Sequence, residues 1–344
     1  MNAEPDFTVD RFFDALYASA VDAMPKLADA VSFADFQRAQ RARLSEVLGL
    51  DKLEAMAPGA PAFELISEGF ADGMKVERLR CLTAPNLWTP FYVLHPHPGA
   101  RDNGNRNDNG KSVLYLCGHG TSCEQVIDPA FKDDYQKTLP LLLARAGYTV
   151  FMPEFVGFGR TRFADFDECN NGIDKGCYPI ATQLLLHGLT LSGMRIRQAM
   201  HGIAFARGRR PGAPLALAGI SGGGLVAAFT AALSDDMEGC CISGYASTFK
   251  GSIMSLFHCV DNFPPGLLSV GEEPEIIALA CPKPLFISNG ARDPIFPIAE
   301  TRKAIERIKR VYAKQGAEDK ITCEIFEGGH EFCVEGLLPW LEKL

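Results

Sequence analysis

The pattern of apolar and polar positions changes period near residue 63. Before that point apolar residues recur at helical spacing through "FFDALYASAVDAM" and again through "FADFQRAQRARLSEVLGL", so residues 7 to 55 read as helical. Ser32 lies three residues before Asp35, which suits a helix start, and Gly49 suits a stop. "APGAPA", at 57 to 62, reads as a linker from its Pro and Gly content. The expectation is an N-terminal helical extension, residues 1 to 60, packed on a main domain of residues 61 to 344.

From residue 63 the segments shorten. "AFELISEGF", "MKVERLRCL" and "TPFYVLHP" are β-leaning and divided by turn residues, as antiparallel opening strands would be. "HPGARDNGNRNDNGK", at 97 to 111, is dominated by Asn, Asp and Gly and reads as an exposed loop. Apolar strand patterns then alternate with helical ones. "SVLYLCGHG" precedes a helix from about Asp133 to Ala146, and "YTVFMPEF" precedes a long helix from about Ala181 to Arg207. "PLALAGIS" leads into a helix from Gly223, followed by "GCCISGYAS", "KPLFISNGARD", a helix around 298 to 314, and "ITCEIFEGGH". Unbroken apolar runs suit strands buried on both faces, and the alternation suits right-handed crossovers. The predicted fold class is α/β, with a mostly parallel central sheet of about eight strands flanked by helices.

Two stretches interrupt this order, 155 to 180 and 248 to 275. Both follow strand ends where parallel sheets bind ligands, so they are expected to act as pocket walls or a cap. They carry Phe155, Phe158, Phe163 and Tyr178, and Phe249, Phe257 and Phe263. Such residues fit an apolar pocket and fit plain packing as well.

Composition narrows the class. Of the 344 residues 47% are hydrophobic and 22% charged, as in an ordinary globular protein with a large core. The formal net charge of −8 argues against nucleic acid as a partner, because phosphate backbones are held by a surplus of Lys and Arg. No stretch approaches the ~20 apolar residues of a membrane span, and "MNAEPDFTVDRFF" lacks the basic and apolar regions of a secretory signal. A cytoplasmic location is therefore expected. The eleven cysteines agree: the number is odd, and Cys117, Cys240, Cys241 and Cys281 sit in apolar runs. There is no CxxC pair and no Cys/His cluster at zinc spacing, so a structural metal is not expected. Cys169 and Cys177 share a polar loop and could pair under oxidation.

The candidate chemistry centres on "LALAGISGGGLVAAF", residues 215 to 229. Gly219-Ile220-Ser221-Gly222-Gly223 matches G-x-S-x-G where a buried strand passes into a helix, the setting in which a sharp turn lifts a serine above a sheet edge. The competing reading makes Ser221 a helix N-cap. A serine nucleophile needs a base that is itself oriented by a carboxylate, supplied in this setting in the order serine, acid, histidine. "PLFISNGARD" ends at Asp293 and "CEIFEGG" is followed by His330. Of the other histidines, His95 and His97 precede the serine, His187 and His201 lie in the long helical stretch, and His258 lies in the second insertion. Asp261 is the first carboxylate after "GCCISGYAST" and is the weaker choice of acid. Oxyanion donors are assigned to the backbone N–H groups of Gly222 and of Thr121, in "CGHGTS"; His119 there reads as a loop-shaping residue.

"GHGTS", "GISGG", "ARDPIFP" and "GGHEF", in that order, resemble the α/β-hydrolase superfamily across about residues 63 to 344. Within it, "CGHGTS", "PEFVGFGRT" and "RARLSEVLGL" are similar to dienelactone-hydrolase-like and acetyl-xylan-esterase-like enzymes. Dienelactone hydrolases proper carry cysteine where this chain has Ser221, which favours a serine esterase over a lactone hydrolase. The resemblance implies a hydrolase of a small or medium carboxylic ester, with no cofactor and a two-step acyl transfer. Ser221 would attack the carbonyl, His330 would move the proton, Asp293 would hold the imidazole, and Thr121 and Gly222 would bind the oxyanion. A peptidase or amidase on the same triad, a lyase of the same fold and a non-catalytic binding protein remain alternatives. The N-terminal helices would either serve a homo-oligomer or cover the pocket.

Overall fold

The computed structural model describes residues 8–27, 30–99, 108–164 and 176–344. Three helices come first: α1 (Asp10–Ala23), α2 (Phe33–Leu48) and α3 (Leu50–Met56). The Ser32 side chain caps α2 by accepting the Asp35 N–H, and Gly49 ends it in the left-handed conformation at φ 75°. Leu44 and Leu48 are buried, and Gln37 donates to the carbonyls of Leu279 and Cys281, which seats α2 on the rest of the molecule.

The strands are β1 (Phe63–Ala71), β2 (Met74–Ala84), β3 (Leu87–Leu94), β4 (Ser112–Leu116), β5 (Thr149–Pro153), β6 (Leu215–Ile220), β7 (Gly239–Ser243), β8 (Leu285–Gly290) and β9 (Ile321–Phe326). They form one nine-stranded sheet in the order β1-β2-β3-β5-β4-β6-β7-β8-β9. β1 to β3 pair antiparallel, β3 joins β5 antiparallel, and β4 to β9 run parallel. Every residue of β4, β5, β6, β7 and β8 is buried, as their unbroken apolar runs require. β1 is an edge strand, and Glu64 to Glu68 are all exposed.

The remaining helices are α4 (Cys123–Val126), α5 (Leu139–Arg145), α6 (Cys177–Leu186), α7 (Leu191–Arg209), α8 (Gly222–Leu233), α9 (Glu273–Ala278), α10 (Ile298–Lys314) and α11 (Val334–Leu341). α10 spans the stretch its periodicity marks and buries Ala304, Ile305, Ile308 and Tyr312 on one face. Two expectations need correction. The helix expected from Asp133 is confined to α5, because Lys137 and Thr138 sit at φ 55° and 47°, where a helix cannot continue. The long helix expected from Ala181 to Arg207 is two, because Gly188 turns left-handed at φ 65° and Thr190 restarts the chain by capping the Gly193 N–H. Among the described residues no helix is long and apolar enough to cross a membrane. Residues 100–107 of the polar loop and 165–175 of the first insertion lie outside the described residues.

The parallel register aligns the ends of β4, β6, β8 and β9, after which the candidate residues stand, with the end of β7 among them. Leu116 of β4 lies opposite Gly219 of β6, Ile220 opposite Ser243 of β7, and Ser243 opposite Ser288 of β8. Gly290 of β8 lies opposite Phe326 of β9. The ladder continues beyond the strands: Ser221 N–H donates to the Ser243 carbonyl at 3.0 Å, Gly244 N–H to that of Ser288 at 2.9 Å, and Ala291 N–H to that of Phe326 at 2.8 Å. The turns carrying Ser221, Asp293 and His330 are thus tied to their neighbours along one edge.

Candidate active site

Ser221 sits at φ 56° and ψ −123°, between the end of β6 and the start of α8. This backbone is costly for a residue with a side chain, and it turns the chain from strand to helix within one position. The Ser221 hydroxyl makes no cap hydrogen bond to α8, so the N-cap reading is not met. The glycines permit the tight turn. A methyl on Gly219 would overlap the Gly223 carbonyl, and one on Gly223 would overlap that of Leu116. Gly222 opens a twelve-residue helix, where the first N–H groups have no intrahelical partner and carry the positive end of the helix dipole.

His330 and Asp293 come together from two strand ends. His330 Nδ1 lies 2.8 Å from Asp293 Oδ2, with the Asp293 side chain fully buried. The other oxygen, Oδ1, accepts the N–H groups of Ile295 at 2.8 Å and Phe296 at 3.0 Å, so the "ARDPIF" turn wraps round its own carboxylate. The His330 ring stacks with Tyr135 at 5.5 Å and with Phe296 at 5.7 Å between centroids. Gly244 lies beneath it: a Cβ there would stand 3.0 Å from His330 Cε1 and 3.6 Å from Asp293 Oδ2. His330 Nε2 is buried and has no hydrogen-bond partner, so Ser221 and His330 are not hydrogen-bonded. Catalytic hydrogen bonds commonly tighten only once substrate is bound.

The "CGHGTS" loop passes beside the start of α8, with a result the sequence did not signal. Gly222 is packed against the ring of His119, which leaves no room for a side chain there. Thr121 is buried; its hydroxyl accepts from the Gln136 amide and donates to the Gly118 carbonyl at 3.5 Å. Tyr135 Oη donates to the His119 carbonyl at 2.6 Å, linking this loop to the residue that stacks on His330.

His119 does more than shape a loop. Its Nε2 lies 3.0 Å from Oδ2 of Asp261, a fully buried carboxylate that also pairs with the buried guanidinium of Arg195. Burial opposes charge on His119, but the Asp261 carboxylate outweighs it and raises the imidazole to about 9. Burial likewise opposes charge on Asp261, and His119 and Arg195 reverse this to hold it well below the usual carboxylate range. Asp261 is therefore committed to His119 and not to His330. Arg195 also donates Nε and Nη2 to the Val156 carbonyl at 3.0 and 2.9 Å, fixing the "PEFVGFG" turn that opens the first insertion. Glu154 secures the same turn by accepting the N–H groups of Cys123 at 3.2 Å and Arg160 at 2.9 Å.

Metal-ligand types also gather here. A ring nitrogen of His119 and the sulfurs of Cys177 and Cys259 lie within 4.8 Å of one another, the one such group among the described residues. They come from three separate segments, so no local spacing could reveal them. Arg195 Nη2 stands 3.0 Å from the Cys177 sulfur and Nη1 3.3 Å from His119 Nε2, so a cation already lies beside two of the three. Cys169, considered above as a partner of Cys177, lies outside the described residues.

The insertion aromatics divide into two sets. Phe155, Phe158 and Phe249 are core residues, with Phe158 edge-on to His119. Phe163, Tyr178, Phe257 and Phe263 are exposed, Phe257 almost completely at 98%.

No family model matches the chain. It is 26% identical over 234 residues to YtaP of Bacillus subtilis (strain 168), provisionally named a hydrolase, across 66% of this chain and 70% of that protein. Among solved structures it resembles a protein of Bacteroides fragilis NCTC 9343, provisionally named an acetyl xylan esterase. That match has a TM-score of 0.72 at 15% identity, over 100% of this chain and 97% of that one. A glucuronoyl esterase from Solibacter usitatus is also similar, with a TM-score of 0.60 at 13% identity over 87% of this chain and 91% of that one. Together with the mixed sheet, its helical flanks and the strand-to-helix turn at Ser221, these likenesses give the protein the α/β-hydrolase fold.

Proposed function

We propose that the protein is a serine esterase acting on a carboxylic ester of a small or medium substrate. The observations that carry this reading are a strained, uncapped Ser221 at the strand-to-helix turn and, beyond later strands of the same sheet edge, a His330–Asp293 couple whose outer nitrogen has no partner. In this account substrate binding brings the Ser221 hydroxyl to His330 Nε2. The hydroxyl oxygen bonds to the carbonyl carbon while its proton passes to His330. The resulting oxyanion accepts the N–H groups of Gly222 and Thr121, the first backed by the dipole of α8. Collapse expels the alcohol, which takes the proton from His330, and water activated by the same nitrogen releases the acid. Asp293, held by three hydrogen bonds of its own turn and the imidazole, keeps Nδ1 protonated and Nε2 available.

The names of YtaP and of the two structures point to hydrolysis, and those of the structures to esters of carbohydrates. This supports a sugar-borne ester as the substrate class. Steady-state turnover of p-nitrophenyl acetate, butyrate and longer esters, followed by release of acetate from acetylated xylan oligosaccharides, tests the reading. Hydrolysis favouring the short acyl group is the expected result; a folded protein that turns over none of these esters would overturn it.

A further inference from the structure

We propose that Cys177 and Cys259 are a redox-active thiol pair, which a peroxide converts to a disulfide joining the two insertions behind the Gly222 side of the candidate site. Cys177 opens α6 at the end of the first insertion, and Cys259 precedes the short 3-10 turn Val260–Asn262 of the second. Their sulfurs and a His119 ring nitrogen fall within 4.8 Å of one another. Both cysteines are partly exposed, as Cys323 is, whereas Cys117, Cys240, Cys241 and Cys281 are buried in the core, so an oxidant in solution can reach the pair.

The two sulfurs have different surroundings. Cys177 accepts from Arg195 Nη2 at 3.0 Å and lies beside the His119–Asp261 pair, so two cationic groups face it. A hydrogen bond from the Cys259 thiol, then the Arg195 charge, hold Cys177 far below the ordinary thiol range. Cys259 is pushed the other way, chiefly by donating to Cys177, and keeps its proton. This is the division of labour between an attacking thiolate and a resolving thiol. A divalent cation suits the group poorly, because it would share the site with a guanidinium that cannot lose its charge.

The chemistry balances with a peroxide as the oxidant. The Cys177 thiolate attacks one peroxide oxygen: an S–O bond forms, the O–O bond breaks, and the departing oxygen takes a proton and leaves as water or an alcohol. Sulfur is oxidised and the peroxide reduced. Cys259 then loses its proton and its sulfur attacks that of Cys177, forming S–S and releasing the hydroxyl as water. A dithiol reductant restores both thiols. The disulfide removes the negative charge beside His119, whose ring packs against Gly222. Resting on the esterase reading, oxidation is expected to alter turnover.

The direct test needs no turnover. Reduced full-length protein is treated with hydrogen peroxide and mapped by non-reducing peptide mass spectrometry. A Cys177–Cys259 cross-link is expected, together with a dione-trapped sulfenic acid at Cys177 in Cys259→Ser. At pH 6, iodoacetamide should alkylate Cys177 at least about tenfold faster than Cys323 or Cys333 in the wild-type protein, a result independent of any variant's folding. Peroxide that leaves Cys177 unmodified, cross-links it to Cys169, or fails because stoichiometric zinc shields both thiols would overturn the proposal. Labelling of Ser221 by a phosphonate in the reduced protein reports separately on the esterase reading.

Discussion

Two histidine–aspartate pairs lie among the turns that surround the candidate site, and their surroundings differ. His330–Asp293 and His119–Asp261 are separated by similar distances, 2.8 and 3.0 Å. Asp293 takes its remaining hydrogen bonds from neutral backbone N–H groups, and it faces Nδ1, leaving Nε2 toward the site. Asp261 is shared with Arg195 and faces Nε2, and its charge raises the His119 imidazole to about 9 within a network that anchors an insertion. A close carboxylate is therefore not enough to make a histidine a base. In the proposed reading, the other charge on the carboxylate and the nitrogen left open separate a pair suited to proton transfer from one suited to structural support.

The comparison breaks first on activity. His330→Ala or Ser221→Ala is expected to lower ester turnover by about 10⁴-fold or more, and Asp293→Asn by a similar factor, since each removes a member of one unit. Steady-state rates with p-nitrophenyl acetate read this; activity that survives His330→Ala and vanishes in His119→Ala would exchange the roles of the pairs. Stability should respond the other way. Asp261→Asn leaves Arg195 buried without its carboxylate and should cost about 3–5 kcal/mol in urea unfolding. Asp293→Asn should cost clearly less; the reverse order would refute the distinction.

A pH scan sharpens it further. The folded pKa of His119 is raised from 6.5 to about 9, so its stabilising contribution is complete below about pH 6.5 and is lost as pH rises through about 9. The loss is of the order of about 3 kcal/mol. Denaturant midpoints should fall across that window in the wild type and flatten in His119→Gln; an unchanged alkaline limb would place the cation elsewhere. The smallest effect concerns the link between the two regions. Tyr135→Phe removes the 2.6 Å bond to the His119 carbonyl while keeping the stack on His330, and should cost about 1 kcal/mol. A loss as large as that of Asp261→Asn would mean the regions are not separable.

Much of the first pair was legible in the sequence, because it depends on local order. The strand patterns ended where Ser221, Asp293 and His330 stand, and the buried parallel register carries those ends to one edge. The N-cap alternative turned on whether the Ser221 hydroxyl bonds to α8, which no sequence pattern carries. The second pair was not legible, since His119, Arg195, Asp261, Cys177 and Cys259 come from separate loops and helices with no shared period or spacing. Helix breaks at Lys137–Thr138 and Gly188 were hidden for a related reason. Apolar periodicity runs through them, and the left-handed residues that stop the helices alter no hydrophobic pattern.

The central claim, that Ser221 is a nucleophile served by His330, is tested most directly by a fluorophosphonate probe read by peptide mass spectrometry. The account predicts a single adduct on Ser221, absent in Ser221→Ala and much slower to form in His330→Ala. A folded wild-type protein that stays unlabelled, or an adduct that persists in Ser221→Ala, would contradict it.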